Sequence, residues 1–193
     1  MIRIHRLIPI ILILLISCAT TKMHDVWKDK NYSNQIKKIF IIGVSQDQKM
    51  RKQFENEFVK QLATKKIKAI PSHTVLSPDK MLDKNTIVSK IKDMNIDGVI
   101  VTKLVEKARK SYGSSSFQGG NYHAHYVDSF HFAESYRATQ ADYVTLETNL
   151  YDAKSEKLVW SGLSETFIFR TTSESIKPFI ESMIQNLSND NMI

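Results

Sequence analysis

The sequence predicts an α/β (α+β) fold: a βαβαβ unit, then an antiparallel hairpin and a C-terminal helix, with one mixed sheet and the helices packed on it. Three observations predict it. Two continuous apolar runs, Ile39-Phe40-Ile41-Ile42-Gly43-Val44 and Val99-Ile100-Val101-Thr102-Lys103-Leu104-Val105, read as strands covered on both faces. Each is preceded or followed by a segment with helical spacing of apolar residues. The second half changes to a two-residue alternation, with Val144, Leu146, Thr148 and Leu150 on one face and Tyr143, Thr145, Glu147 and Asn149 on the other, as in a half-covered antiparallel strand.

The elements follow in order. Residues 18–34 are polar around Trp27 and Tyr32 and read as a tether that joins the domain near Trp27, which serves as a packing pin. The first strand ends at Gly43-Val44-Ser45, and Asp47 is placed to cap the next helix. On that helix Met50, Phe54, Phe58 and Leu62 form an apolar stripe, with Arg51, Lys52, Glu55 and Lys60 off it. Lys68 to Leu76 is extended and broken by Pro71, which suits an edge strand; His73 beside it reads as a surface residue. A second helix begins near Asn85 and buries Ile87, Ile91 and Met94. The order βαβ implies parallel strands joined by right-handed crossovers.

Asp152 to Glu156 makes a polar turn after the alternating strand, and the return strand runs from Leu158 to about Phe169. Gly162 marks an expected bulge, because the apolar positions change parity after it. Trp160 reads as an anchor in the core or on the sheet face. Ile176, Phe179, Ile180, Met183, Ile184 and Leu187 follow the helical period, with Ser173 as the expected cap. The domain spans residues 35–190, with an insertion at about 110–140.

The chain opens with Arg3 and Arg6, followed by ten largely apolar residues from Leu7 to Ile16. That run is too short to span a bilayer, which takes about 20 residues, and has the form of an export signal, residues 1–17. Leu15-Ile16-Ser17-Cys18 closes it and resembles the lipobox of bacterial lipoproteins. The resemblance implies a diacylglycerol thioether and an N-acyl group on Cys18, a covalent lipid anchor in place of any cofactor. Two or more acyl chains give stable membrane attachment. Ala19, where an inner-membrane retention signal would place Asp, implies the outer membrane, facing the periplasm. Cys18 is the chain's one cysteine, so no disulfide forms within it and no cysteine is left as a nucleophile.

Net charge is +7, and about +5 once Arg3 and Arg6 leave with the signal. The lysines are dispersed and read as a solvated surface rather than a nucleic-acid interface. Nucleotide-binding glycine loops, a G-x-S-x-G elbow and an H-E-x-x-H pair are all absent from the sequence. These absences make a non-enzymatic protein the expectation.

Residues 110–140 are the informative segment. They hold Tyr112, Phe117, Tyr122, Tyr126, Phe130, Phe132 and Tyr136, seven of the 16 Tyr and Phe residues in the chain, with three of its six glycines. A long irregular insertion of this kind is usually functional or disordered. Three readings fit. Tyr112, Phe117, Tyr122, Tyr126, Phe130 and Phe132 form a surface for an envelope protein partner or for self-association, since Tyr offers rigid area with a polar tip. Alternatively, His123 and His125 on one strand face bind a metal, with His131 and Asp128 to complete the three or four ligands zinc needs, as in a metal-binding protein or an enzyme using this loop. In the third, the aromatics pack over the sheet.

Taken with "VWKDKNYSNQIKKIFIIGV", "DGVIVTKLV" and the hairpin "YDAKSEKLVW", the element order resembles a group of small periplasm-facing lipoproteins. It includes activators of penicillin-binding proteins, the curli-secretion lipoprotein and the amino-terminal domain of TolB. The resemblance covers about residues 27 to 188. It implies a lipid-anchored accessory role in envelope assembly, secretion or wall synthesis, with no catalytic residues carried over.

Overall fold

A computed structural model describes residues 21–43, 45, 47–76, 84–107, 143–167 and 172–193. The fold is the expected one, with an added strand. Its elements are β1 (Thr21–Lys28), β2 (Lys38–Gly43), α1 (Gln48–Thr64), β3 (Lys68–Pro71), a 3₁₀ turn (Ser72–Thr74), α2 (Lys84–Lys92), β4 (Gly98–Lys107), β5 (Tyr143–Asp152), β6 (Leu158–Phe167) and α3 (Thr172–Asn189). They build one six-stranded sheet in the order β1-β6-β5-β4-β2-β3. β2 runs parallel to β3 and β4; the β4–β5, β5–β6 and β1–β6 pairs are antiparallel.

The polar stretch expected to be a tether contains β1. Thr21 to Lys28 pair along β6 from Thr166 to Trp160, with a register shift between Met23 and Asp25. Polar composition hides a strand here because the strand lies at the sheet edge: only Thr21 is buried, and Val26 and Trp27 are exposed. Trp27 is therefore no packing pin; it is 38% exposed.

Alternate residues of the central strands feed two cores. Ile39, Ile41, Ile100, Leu150 and Trp160 meet Phe58 and Leu62 of α1 and Phe179, Ile180, Met183 and Leu187 of α3. On the other face Phe40, Ile42, Val99, Val101 and Tyr151 meet Ile87 and Ile91 of α2. The two faces explain why β2 is apolar at consecutive positions.

Helix ends are closed locally. The Asp47 carboxylate accepts from the Lys49 and Met50 N–H groups, as expected of a cap. At the other end of α1, Lys66 takes a left-handed φ of 63°, and the Lys66 and Ile67 N–H groups donate to Ala63 and Leu62. α3 ends the same way: Asn191 (φ 56°) and Met192 donate to Ser188 and Leu187. This second cap docks the C-terminus, since the Met192 carbonyl accepts from the Ile36 N–H and the Asp190 carboxylate accepts from the Trp160 indole at 2.6 Å. Ser173 falls inside α3 rather than at its cap.

Gly162 is not a bulge. It pairs in register with Thr148, and the irregularity of the hairpin lies between Leu150 and Tyr151. The residue is glycine because the Trp160 indole lies across it: an added Cβ would collide with that ring and come within 2.7 Å of Met23 Cε. The parity change after Gly162 comes from polar residues on the covered face. Ser164 and Thr166 are both buried there; Thr166 shares a 3.0 Å hydrogen bond with Thr21.

Candidate functional site at the carboxyl edge of the sheet

In open α/β sheets, ligands bind beyond the carboxyl ends of the strands, where neighbouring strands send their connections to opposite faces. In this chain that point lies between β2 and β3. β2 leads into α1 on one face, and β3 leads toward α2 on the other. A cluster of polar side chains fills it: Arg51 and Glu55 from α1, Ser72 and His73 from the turn after β3, and the Gly43 backbone at the end of β2.

Glu55 is the hub and is wholly buried. Its Oε1 accepts from the Gly43 N–H at 3.0 Å, from Arg51 Nε at 3.1 Å and from the Ser72 hydroxyl at 2.5 Å. Its Oε2 accepts from the His73 N–H at 2.8 Å and meets His73 Nδ1 at 2.7 Å. Arg51, itself buried, also donates through Nη2 to the Ser72 hydroxyl at 2.7 Å. Gly43 permits the approach: a Cβ there would sit 2.8 Å from Phe54 Cδ1.

The arrangement is a clamp. A buried carboxylate is tolerated only when its charge and lone pairs are met, and here five donors meet them. Ser72, His73 and Glu55 are the residue types of a nucleophile–base–acid relay, but the hydrogen bonds run differently. The difference lies at Ser72: its hydroxyl is held by Glu55 and Arg51, while His73 Nδ1 meets the carboxylate as the histidine of such a relay does. The cluster thus ties α1, β2 and the β3 turn together across the crevice.

These residues overturn three sequence expectations. Arg51 and Glu55, placed off the apolar stripe, are buried, and His73 is mostly covered, with its side chain 13% exposed. The buried line of α1 is Arg51, Glu55, Phe58 and Leu62; Met50 and Phe54 are half-buried beside it. That line has the same helical spacing as the expected stripe, which is the signal that composition masked.

A second polar cluster lies on the α2 face of the hairpin. Asn149 donates to Glu147 Oε1 at 2.8 Å and to the Tyr151 hydroxyl at 3.3 Å, and its Oδ1 accepts from the Ser161 hydroxyl. Lys103 pairs with Glu147 at 3.4 Å. At the opposite end of the sheet Tyr32 donates to Asp152 at 3.1 Å. Burial, then this contact with the carboxylate, pushes the Tyr32 hydroxyl well above the usual tyrosine range. Burial alone would raise Asp152, but hydrogen bonds from the Ser155 N–H and hydroxyl outweigh it and hold Asp152 below the ordinary carboxylate value. An open cleft of about 350 Å³ between α1 and α3 is lined by long polar side chains such as Lys60, Gln61, Lys177 and Glu181, a solvated helix surface.

Cys18, the aromatic set Tyr112, Phe117, Tyr122, Tyr126, Phe130 and Phe132, and the metal candidates His123, His125 and His131 with Asp128 are outside the described residues. Among the described residues no group of three or more His, Cys, Asp or Glu side chains is arranged to hold a metal ion. No helix among them is long and apolar enough to cross a membrane.

No family model matches the chain, and no curated protein sequence matches it. Among solved structures, the chain is similar to a PelC dodecamer from Paraburkholderia phytofirmans, with 13% identity and a TM-score of 0.47, covering 86% of this chain and 96% of that one. A structure of a PelC variant dodecamer from the same organism gives 12% identity and a TM-score of 0.46, covering 85% and 94%.

Proposed function

We propose that this chain is a lipid-anchored protein of the bacterial cell envelope with a non-catalytic binding role, attached through Cys18 to the periplasmic side of the outer membrane. The observation that carries the reading is an apolar run closed by Leu15-Ile16-Ser17-Cys18, with the first sheet strand beginning only three residues later at Thr21. A thiol is the one side chain able to take the diacylglycerol as a thioether, and the cysteine stands where cleavage frees an amine for a second acyl group. In this reading the Glu55 cluster has a structural role, its carboxylate holding the Ser72 hydroxyl and His73 Nδ1.

The binding surface in this reading is the aromatic segment of residues 110–140, which presents Tyr112, Phe117, Tyr122, Tyr126, Phe130 and Phe132 to another envelope protein. Two measurements test it. The intact mass of the mature chain, purified from membranes, is expected to begin at Cys18 and carry acyl groups, and Cys18→Ser is expected to release the protein from the membrane fraction. A photoreactive residue at Tyr126 is expected to capture a distinct envelope protein in native membranes. Capture of the same chain alone replaces the accessory role with self-association. Stoichiometric metal lost on joint His123→Ala and His125→Ala substitution replaces it with metal binding.

A further inference from the structure

The anchoring reading fixes more than a compartment. Two residues, Ala19 and Thr20, separate Cys18 from Thr21, and an extended chain spans at most about 3.6 Å per residue step, so Thr21 lies within about 11 Å of the acylated residue. Thr21 is no loose tether: it pairs with Thr166, shares the hydroxyl–hydroxyl bond with it and is buried. The headgroup layer of one leaflet is itself roughly 5–8 Å deep. The leash is therefore barely longer than the layer it must cross.

The sheet register shows which part of the domain this short leash holds down. Thr21 is level with Thr166 of β6, Thr166 with Val144 of β5, and Val144 with Lys107 of β4. Strands lie about 4.8 Å apart, so these positions fall within about 15 Å of Thr21. β4 runs five residues past the end of its pairing with β2, at Thr102, so this rim stands proud of the β2–β3 half of the sheet. The chain also leaves β4 at Lys107 and re-enters β5 at Tyr143 on this rim.

We propose that the rim formed by Thr21, Lys22, Tyr143 and the neighbouring ends of β4 and β6 is a docking surface for the headgroup layer of the bilayer, a reading that rests on acylation of Cys18. Its chemistry suits that partner. Tyr143 is 42% exposed at the outermost position of β5, and tyrosine favours the membrane–water interface, where ring and hydroxyl meet different media. Lys22 is exposed two strands away on β1, level with Thr145 of β5, while Glu165, the acidic residue opposite Lys22, has His24 within 3.8 Å. The Asp152–Glu156 turn lies at the other end of β5, about 25–30 Å from the rim at 3.3 Å per residue.

The test uses the full-length acylated protein in vesicles of phosphatidylethanolamine and phosphatidylglycerol. Because acylation consumes the sulfur of Cys18, an introduced cysteine is the sole labelling site. Lys22→Cys, Tyr143→Cys and, at the far turn, Lys154→Cys each carry a fluorophore, and the vesicles contain a headgroup-attached quencher. Quenching at residues 22 and 143 is expected to exceed that at 154 by about threefold or more, given a separation near 25 Å. Circular dichroism confirms that each variant is folded, and the two rim positions report independently. An acylated chain with equal quenching at all three positions overturns the docking surface and leaves the anchor standing. A chain whose mass shows no acyl group overturns the anchor, and the docking surface with it.

Discussion

Glu55→Gln changes one oxygen to an amide nitrogen and keeps the shape of the side chain, so its effect isolates charge and hydrogen bonding at the clamp. The amide can replace either carboxylate oxygen. At Oε1 it would face three donors, the Gly43 N–H, Arg51 Nε and the Ser72 hydroxyl. At Oε2 it faces two, the His73 N–H and Nδ1. The second placement costs less, because His73 can change tautomer and accept at Nδ1. The His73 N–H is then left unpaired, at about 1–3 kcal/mol. Arg51, also buried, loses its counter-charge. Breaking a buried pair from one side costs about 3–5 kcal/mol, a range that includes such orphaned groups.

The expected loss is thus about 3–5 kcal/mol, a large part of the ~5–15 kcal/mol that a domain possesses. Urea unfolding followed by the fluorescence of buried Trp160 measures it. With a slope near 2 kcal/mol/M the midpoint is expected to fall by roughly 1.5–2.5 M. Arg51→Met in the Glu55→Gln background removes the stranded charge and is expected to restore about 1 kcal/mol or more, since an apolar replacement of a buried pair is often tolerated. A loss below about 1 kcal/mol for Glu55→Gln, or a double variant weaker than the single, would refute the assignment of the cluster as a clamp.

Three further outcomes follow from the same structure. Gly162→Ala drives a methyl into the Trp160 ring and against Met23, and the ring cannot swing away freely because its N–H is held by Asp190; thermal unfolding is expected to show a loss of about 1–3 kcal/mol. Asp190→Ala leaves the Trp160 N–H without its carboxylate and is expected to cost about 1–3 kcal/mol in urea unfolding. The Tyr32–Asp152 pair gives a pH signature at both extremes. Asp152 is lowered in the folded chain, so its contribution is full above its unfolded value, about 3.8, and is lost as pH falls through the folded one. Tyr32 is raised, so its contribution is full below about 10 and declines as pH rises toward the folded value. Stability measured from pH 2 to 11 should lose part of its acid and alkaline slope in Tyr32→Phe; unchanged slopes would refute the pairing.

What was legible in the sequence depended on whether a position's environment matched its residue type. Ile39 to Ile42 are apolar at every position because both faces of β2 are covered, and Ile176 to Leu187 repeat at the helical period because one side of α3 packs on the sheet. Agreement between type and burial made β2, β4 and α3 readable. β1 failed the opposite way: an edge strand bound by backbone pairing needs little apolar content, so Thr21–Lys28 resembled a linker. Arg51 and Glu55 failed more instructively. They occupy core positions of α1 but are charged, and only tertiary structure shows that Ser72, His73 and Gly43 arrive to satisfy them. A charged i,i+4 pair looks the same in sequence whether solvated or buried.

The clamp and the membrane-facing rim both lie at the carboxyl ends of the parallel strands, but at different heights, because β4 continues five residues beyond its last pair with β2. The clamp fills the crevice where ligands enter many α/β sheets. The proposed lipid-docking surface lies beyond the clamp, on the rim where β1 begins, β4 ends and β5 starts. A substitution at Glu55 is accordingly expected to weaken the fold while leaving headgroup quenching at residues 22 and 143 unchanged in the folded fraction, and a drop in quenching without a loss of stability would break this separation.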